Sequence, residues 1–176
     1  GSYSTTADLS GLADGPLTVT ASVSDAAGNP ATATDTAALD TAAAITVSLE
    51  DVNGGNVGAA PITGTTAGVE AGQTVTLVIT DGTATVTVTA VVNPDGSYST
   101  TADLSGLADG PLTVTATVSD AAGNPATATD TAALDTSAAI TVSLEDVNGG
   151  NAAAAPITAT TTGVEAGQTV TLAITD

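Results

Sequence analysis

The 176-residue sequence has no lysine, arginine or histidine, yet it has 19 aspartates and glutamates. Its formal net charge at pH 7 is therefore −19, and no side chain can neutralise a carboxylate. Two unit charges about 5 Å apart repel by about 3 kcal/mol at an effective dielectric near 20, whereas only roughly 5 to 15 kcal/mol keeps a domain folded. Carboxylates that folding brings together therefore need a metal ion or a proton.

Cysteine is absent as well. Without cysteine and histidine, the chain lacks the ligands that select zinc, copper and iron–sulfur clusters. The oxygen ligands that remain suit calcium or magnesium, and calcium accepts six to eight oxygens in flexible geometry. The sequence thus indicates Ca²⁺ as the bound ion. The alternative is a chain that is acidic only for solubility in a salty medium.

These absences also exclude several classes of function. Nucleic acids and anionic membrane surfaces are bound through lysine and arginine, so neither is expected as a partner. No apolar run approaches the length that spans a bilayer, so membrane insertion is not expected. Serine and threonine are frequent, but no histidine, lysine or cysteine could activate them, and with two tyrosines and no tryptophan a sugar-cleaving cleft is not expected either. The chain is predicted not to be an enzyme.

The sequence repeats itself with a period of 95 residues, because residues 1–81 match residues 96–176 without a gap. Such fidelity is typical of a tandem array. With no initiator methionine and no secretory signal, the chain is expected to be a segment of a longer protein. Seven of the 81 matched pairs differ: Ser22/Thr117, Ala42/Ser137, Val57/Ala152, Gly58/Ala153, Gly64/Ala159, Ala67/Thr162 and Val78/Ala173.

Apolar residues alternate with threonine and serine along nearly every segment, which is typical of half-buried β-strands. In residues 111–119, for example, Leu112, Val114 and Val118 fall on one face and the threonines on the other. Turn motifs such as Asp-Gly and Asn-Pro-Asp-Gly separate the runs. The pattern predicts an all-β, immunoglobulin-like sandwich of about seven strands. The predicted strands are 44–49, 62–66, 74–80, 83–92, 97–105, 111–119 and 125–134.

The predicted strands and the 95-residue period divide the chain into three parts. Residues 41–135 make one complete repeat, residues 1–40 supply the last three strands of a preceding repeat, and residues 136–176 supply the first three strands of a following one. Together the two partial repeats lack only the counterpart of residues 82–95. Terminal halves of neighbouring molecules are therefore expected to complement each other head to tail.

Four motifs carry a family resemblance. They are VSDAAGNP at 118–125 with the later LDT at 134–136, VEAGQTV at 69–75, NPDGSY at 93–98 and LADGPLTV at 107–114. Taken in chain order, from 69–75 to 134–136, they resemble the bacterial immunoglobulin-like repeats in the extender regions of giant repeats-in-toxin (RTX) type surface adhesins. The sequence departs from the usual pattern of that family in two ways. Its linker is DTAAAI at 40–45, where Thr-Ala-Pro is common, and it has no glycine-rich nonapeptides.

The resemblance implies a secreted spacer on the bacterial cell surface, whose partners are adjacent repeats and whose domain junctions bind calcium. The sandwich topology places the loop at 120–124 and the start of each repeat at one end. For the first junction, this predicts ligands from Asp14, Asp35, Asp40, Asp120 and Asn124. For the second junction it predicts Asp109, Asp130 and Asp135, with Asp25 and Asn29 supplied by a neighbouring molecule.

The loop at residues 50–56, with its copy at 145–151, is also rich in oxygen ligands. It does not match an EF-hand, and it either binds calcium through Asp51 and Asp146 or is a flexible loop with Asx turns. Among the remaining acids, Asp81 and Asp95 are expected to form turns, whereas Asp8, Asp103 and Glu70 are expected to face solvent.

One competing function is a carbohydrate- or ice-binding module. The alternating threonines of residues 83–89 would form a flat array, although threonine is also simply well suited to the solvated face of a strand. Near-identical tandem copies favour a spacer, because added length requires copies whereas recognition usually requires one module.

Overall fold

The structure is a computed structural model that describes all 176 residues. Its regular secondary structure consists of β-strands apart from one 3-10 turn, which confirms the all-β prediction. None of its elements is a helix long and apolar enough to cross a membrane. The strands are β1 (Gly15–Ser24), β2 (Pro30–Leu39), β3 (Ala44–Ile45), β4 (Ser48–Leu49), β5 (Val52–Asn53), β6 (Ala60–Ala67), β7 (Thr74–Thr80), β8 (Thr85–Val91), β9 (Ser97–Ala102), β10 (Gly110–Ser119), β11 (Pro125–Asp135), β12 (Ala139–Leu144) and β13 (Ile157–Thr162), and a 3-10 turn spans Val57–Ala59.

Strands β3 to β11 form the immunoglobulin-like sandwich predicted for the complete repeat. One sheet has β6 paired with β3, β4 and β9, and the other has the order β5-β11-β10-β7-β8. All pairs are antiparallel except β5 with β11. Strand β8 pairs only with β7, so it lies at the edge of its sheet.

The core lies between these two sheets and comes entirely from the complete repeat. Its 20 buried apolar residues run from Leu49 to Leu134. Strand β10 shows the predicted alternation, since Leu112, Val114 and Val118 are buried and the threonines between them are not. With neither Phe nor Trp in the chain, Tyr98 is the largest fully buried side chain.

Tyr98 divides the first predicted strand in two. Its hydroxyl donates a hydrogen bond to the carbonyl of Thr46, which lies between β3 and β4. Its ring covers Gly64, where an added Cβ would lie 2.4 Å from the ring. The downstream copy, with Ala159 in place of Gly64, has no tyrosine packed on it and keeps one continuous strand, β12. A single aromatic contact thus shapes the edge of this sheet.

The flanking segments form only hairpins. Strands β1 and β2 pair over ten residues from Gly15↔Leu39 to Ser24↔Pro30, and β12 pairs with β13. The strands predicted at residues 2–10 and 169–175 are not formed, so that part of the prediction is wrong. In the complete repeat, the counterparts of these two segments pair with β6 and β10 respectively. Neither flanking hairpin has a second sheet against which to pack.

Candidate domain-junction sites

The loop between β10 and β11 is a compact turn closed by one aspartate and one asparagine. Asp120 accepts hydrogen bonds from the Asn124 backbone (2.7 Å) and from the Asn124 side-chain amide (2.7 Å). Asp120 is only 5% exposed, the one buried acidic residue of the chain. The amide of Asn124 holds the pKa of Asp120 below its ordinary value. The loop is therefore closed by its own side chains, and these hydrogen bonds favour the ionised form of Asp120.

This loop lies at the first junction, where the preceding segment enters the complete repeat. The Asn124 side-chain amide also donates to the backbone carbonyl of Asp40 at 3.1 Å. On the upstream side, the Thr41 hydroxyl donates to Asp14 at 2.8 Å. The short linker is thus held from both directions, by a carboxylate of the preceding repeat and by the loop of the following one.

Glu70 also lies at this end. Its carboxylate accepts a hydrogen bond from the backbone N–H of Ala121 at 2.8 Å. The expectation that Glu70 merely faces solvent is therefore incomplete, because this side chain connects the β6–β7 loop to the β10–β11 loop. The sequence offered only one signal for the contact, namely that both loops fall at the same end of the sandwich.

The second junction repeats the first with more donors. Asp109 accepts from the backbone N–H (3.1 Å) and hydroxyl (2.9 Å) of Thr136, and its other oxygen accepts from the Ser137 hydroxyl at 3.3 Å. Asp135 accepts from the Ser137 backbone at 3.2 Å. Strand β5 ends here too, since Asn53 pairs with Asp135. At each junction, an aspartate that directly precedes a strand, Asp14 before β1 or Asp109 before β10, thus holds the next linker.

Two of the predicted ligands lie elsewhere. Asp130 sits in the middle of β11 opposite Val114, where it accepts a hydrogen bond from the Leu49 backbone at 3.0 Å. That hydrogen bond lowers its pKa. Asp35 is likewise mid-strand, opposite Val19, five residues before the linker. The prediction that Asp35 and Asp130 lie at the junctions is therefore wrong. Each lies in the middle of a strand, β2 or β11, that continues beyond it toward the linker.

The loop at residues 50–56 is held in place by hydrogen bonds. Asp51 accepts a hydrogen bond from the Ala133 backbone at 2.8 Å, which attaches this loop to β11. The loop then closes through Asn53 and Asn56, as the Asn53 backbone donates to the Asn56 side chain at 2.8 Å. The same turn forms at 148–151 in the downstream copy, where no such contact to Asp146 exists. The Asp51 side chain therefore links the loop at residues 50–56 to strand β11.

Comparison with known proteins supports the resemblance seen in the motifs. No protein-family model and no curated protein sequence matches the chain. A solved structure of a tetra-tandem repeat in the extending region of a large adhesion protein does match, with 33% identity over 90% of this chain and a TM-score of 0.56. The chain is thus similar to an adhesin extender repeat. It spans about half of that structure, 48% of its length.

Two further solved structures match the extender-like repeat at lower structural similarity. One comes from work on host cell surface retention of a 1.5-MDa bacterial ice-binding adhesin, with 27% identity, 77% of this chain and 47% of that chain covered, and a TM-score of 0.42. The other is a Ca²⁺-stabilised adhesin that helps an Antarctic bacterium reach out and bind ice, with 28% identity, 78% and 36% covered, and a TM-score of 0.42.

The junctions of this extender-like repeat offer oxygen ligands of the kind that calcium prefers, namely carboxylates, hydroxyls and backbone carbonyls. In the structure, however, no three acidic side chains converge closely enough to hold a metal ion. Asp14 and Asp40 lie at one junction, and Asp109 and Asp135 lie at the other. The oxygen ligands at the junctions are of a type that suits calcium. However, these side chains, which already take part in hydrogen bonds, do not form a complete coordination shell.

Two further acids, Asp81 and Asp95, close turns. Asp81 accepts backbone hydrogen bonds from Thr83 and Ala84 in its own turn, and one from Ala108 in the β9–β10 loop. The Ala108 hydrogen bond contributes most to lowering its pKa. Asp95 accepts from Ser97 in the same way, and this lowers its pKa too. These contacts confirm the prediction that Asp81 and Asp95 form turns.

Proposed function

We propose that this chain is a spacer segment of a bacterial surface adhesin, and that calcium at its domain junctions stiffens it. Its role is mechanical and not catalytic, it lies outside the cell, and its natural partners are adjacent repeats of the same protein. The near-identity of successive units supports this role, since a spacer gains length by adding copies. The similarity to an adhesin extending region supports the same role.

One observation carries the calcium proposal. At each junction, the linker is held by an aspartate of the preceding repeat, Asp14 on Thr41 and Asp109 on Thr136. A second aspartate also lies at each junction, Asp40 at the start of the first linker and Asp135 directly before the second. The chain has no basic side chain to offset these charges, so the two carboxylates of each junction repel each other unless a cation joins them.

Calcium would act on the angle between repeats. The linkers are short, with residues 40–43 between β2 and β3 and residues 136–138 between β11 and β12. An ion that bridges carboxylates on both sides of such a linker would restrict its backbone dihedrals. Because calcium takes six to eight oxygens, water and the linker's own carbonyl and hydroxyl oxygens would complete its shell. Without calcium, the repeats would remain folded separately but bend relative to one another.

The test compares the chain with millimolar calcium and with a chelator. Small-angle scattering should show a larger maximum dimension with calcium, and the melting temperature should rise because the ion binds only the folded state. Asp109→Asn should weaken both responses. Asp103→Asn is the matched control, since Asp103 is exposed and contacts only Ser105. Unchanged dimensions and stability on chelation, or equal effects of the two variants, would refute the proposal.

The proposed partners also include a second copy of this chain, through its two flanking half-repeats. The apolar faces of both halves are exposed, as Val19 (63%) and Ile174 (71%) show.

A further inference from the structure

Strand β8 forms a long open edge within the complete repeat. All seven of its residues pair with β7, and with no other strand. Just beyond β8, the backbone of Val92 donates a hydrogen bond to Gln73. Because hydrogen-bonded and non-hydrogen-bonded pairs alternate in an antiparallel ladder, the backbone N–H and C=O groups of every second residue of β8 point away from β7. These outward-pointing residues are Thr85, Thr87, Thr89 and Val91.

This edge has none of the features that usually prevent edge-to-edge pairing. Natural sheets protect their edges with short strands, charged side chains, proline or bulges. Strand β8 has seven residues in an uninterrupted register, and residues 83–92 contain neither proline nor a charged side chain. The nearest carboxylates, Asp81 and Asp95, lie four residues beyond its two ends and are held in their own turns. By contrast, the edge strands β3, β4 and β5 have two residues each, and Asp103 directly follows β9.

The core is also partly open along β8. The side chains of Val86 and Val88 pack against the buried core, but they are only partly buried themselves. A further strand beside β8 would cover the open side of both valines. The edge therefore offers apolar contact as well as unpaired backbone groups.

We propose that β8 of one copy pairs antiparallel with β8 of a second copy, which joins their five-stranded sheets across a two-fold axis at Val88. In this register Thr87 lies opposite Thr89 of the other copy, and Thr85 lies opposite Val91. Each outward N–H then meets an outward C=O, because an antiparallel edge is complementary to itself.

Three properties of the edge favour a second copy as its occupant. A second β8 is already an extended strand, so it loses little conformational entropy on pairing. The contact would place threonine opposite threonine, which stabilises cross-strand pairs. It would also be free of charge, whereas each chain has a net charge of −19 that opposes close approach through its acidic surfaces.

The direction of β8 within the repeat determines how two copies would be oriented. Before β8 begins, Asp81 accepts a hydrogen bond from Ala108, which lies beside the second junction. After β8 ends, Val92 bonds to the β6–β7 loop, whose Glu70 lies at the first junction. Strand β8 thus runs from the second junction to the first, and antiparallel pairing would orient the two repeats in opposite directions.

Spacers that project from two facing surfaces meet in this opposed orientation. The contact would therefore join copies of the same adhesin on neighbouring cells. This consequence rests on the proposed spacer role, whereas the strand pairing itself does not. A single strand pair buries little surface, so its dissociation constant should be on the order of 1 mM. Repeats linked in tandem would act together and bind far more tightly.

The first test exchanges charge on the two central outward residues, Thr87 and Thr89, both of which are exposed. Self-association of the full chain is measured by sedimentation at about 1 mM protein, in about 0.15 M salt and with chelator. Thr87→Asp/Thr89→Asp and Thr87→Lys/Thr89→Lys should each self-associate at least about tenfold more weakly than the wild type, because like charges then lie opposite each other. A mixture of the two variants should restore association, because opposite charges then pair.

Thr113→Asp/Thr117→Asp is the matched control for the acidic variant. It adds the same charge to the same face of the sheet, but on β10, which has a partner strand on both sides. It should self-associate like the wild type.

The second test traps the predicted register with a single cysteine, since the chain has none of its own. At the two-fold axis, the Cα atoms of the two Val88 residues would lie about 4.5 Å apart, which is within the range of a disulfide. In a glutathione redox buffer, Val88→Cys should form a linked dimer, whereas Thr117→Cys, exposed on β10, should form much less. In the linked dimer, amide hydrogen exchange should slow at the outward-pointing residues of β8.

Several results would overturn the proposal. They are a wild-type chain that stays monomeric at these concentrations, a mixture of charge variants that fails to associate, and a Val88→Cys yield no greater than that of Thr117→Cys. Wild-type association that persists in both charge variants would place the contact elsewhere, for example at the flanking half-repeats. Because the measurements contain chelator, failure of the β8 contact leaves the calcium proposal intact, and an absent calcium response leaves the β8 contact intact.

Discussion

Gly64→Ala provides the sharpest test of how the core of the complete repeat is packed. Gly64 has no positive φ angle, so alanine could adopt its backbone conformation without strain. The position has no room for an added Cβ atom. The added Cβ would lie 2.2 Å from the carbonyl oxygen of Thr46 and 2.4 Å from the ring and hydroxyl of Tyr98. These neighbours are a backbone carbonyl and a buried ring, and neither can move freely.

The expected cost follows from this geometry. Overpacking a core by one methyl group typically destabilises by about 1 to 3 kcal/mol. For a domain of this size, such a loss lowers the melting temperature by about 5 to 15 °C. The hydrogen bond from Tyr98 to Thr46 should weaken too, since the ring must retreat from Gly64. Thermal unfolding followed by circular dichroism, with near-ultraviolet signal from the buried tyrosine, measures both effects.

Gly58→Ala is the matched control for this variant. Nothing lies within 4 Å of a Cβ at Gly58, and the downstream copy already has alanine there. We expect its effect on the free energy of unfolding to stay within about 0.5 kcal/mol. If Gly64→Ala were as well tolerated as Gly58→Ala, the Tyr98 ring would not be seated on Gly64, and the account of the divided strand would fail.

Three further predictions concern buried and junction groups. In a Tyr3→Phe background, the remaining Tyr98 should ionise at about pH 12, because burial raises its pKa; tyrosinate absorbance measures this, and stability present below pH 10 should be lost between pH 10 and about 12. Asp120 has a lowered pKa, so the stability advantage of the wild type over Asp120→Asn should shrink in urea titrations as pH falls below the ordinary value of 3.8. Asn124→Ala should lower the melting temperature by about 5 to 10 °C, whereas Asn29→Ala, outside the folded core, should leave it unchanged.

Local patterns in the sequence were enough to predict most strands of the complete repeat. Strand β10 illustrates why, since the alternation from Leu112 to Val118 is itself the burial pattern of a strand between core and solvent. The turn-forming aspartates were equally predictable, because Asp95 bonds only to residues two positions away. Features whose causes lie within a few residues can be inferred from one sequence.

Features that depend on distant contacts were missed or misplaced. The sequence predicts a junction position for Asp130, but its carboxylate accepts a hydrogen bond from the backbone of Leu49, 81 residues away. The sequence predicts a loop at strand β5, which forms because Leu134 and Asp135 provide its pairing partners. The failure at residues 169–175 has the same cause, since a strand needs a neighbour with which to form hydrogen bonds. The alternation of apolar and polar residues indicates which face of a strand a residue occupies. It does not indicate whether a neighbouring strand is present to pair with it.

The differences between copies show that the two junctions are not equivalent. At the second junction, Asp109 accepts hydrogen bonds from Thr136 and also from the hydroxyl of Ser137. At the first junction, the position of Ser137 is occupied by Ala42, which has no hydroxyl, and only Thr41 binds the Asp14 side chain. Asp14 therefore keeps one carboxylate oxygen without a donor from the linker. An incoming cation would compete with fewer hydrogen bonds there. Under the proposed mechanism, the two junctions would therefore stiffen at different calcium concentrations, although their linkers differ at one residue only.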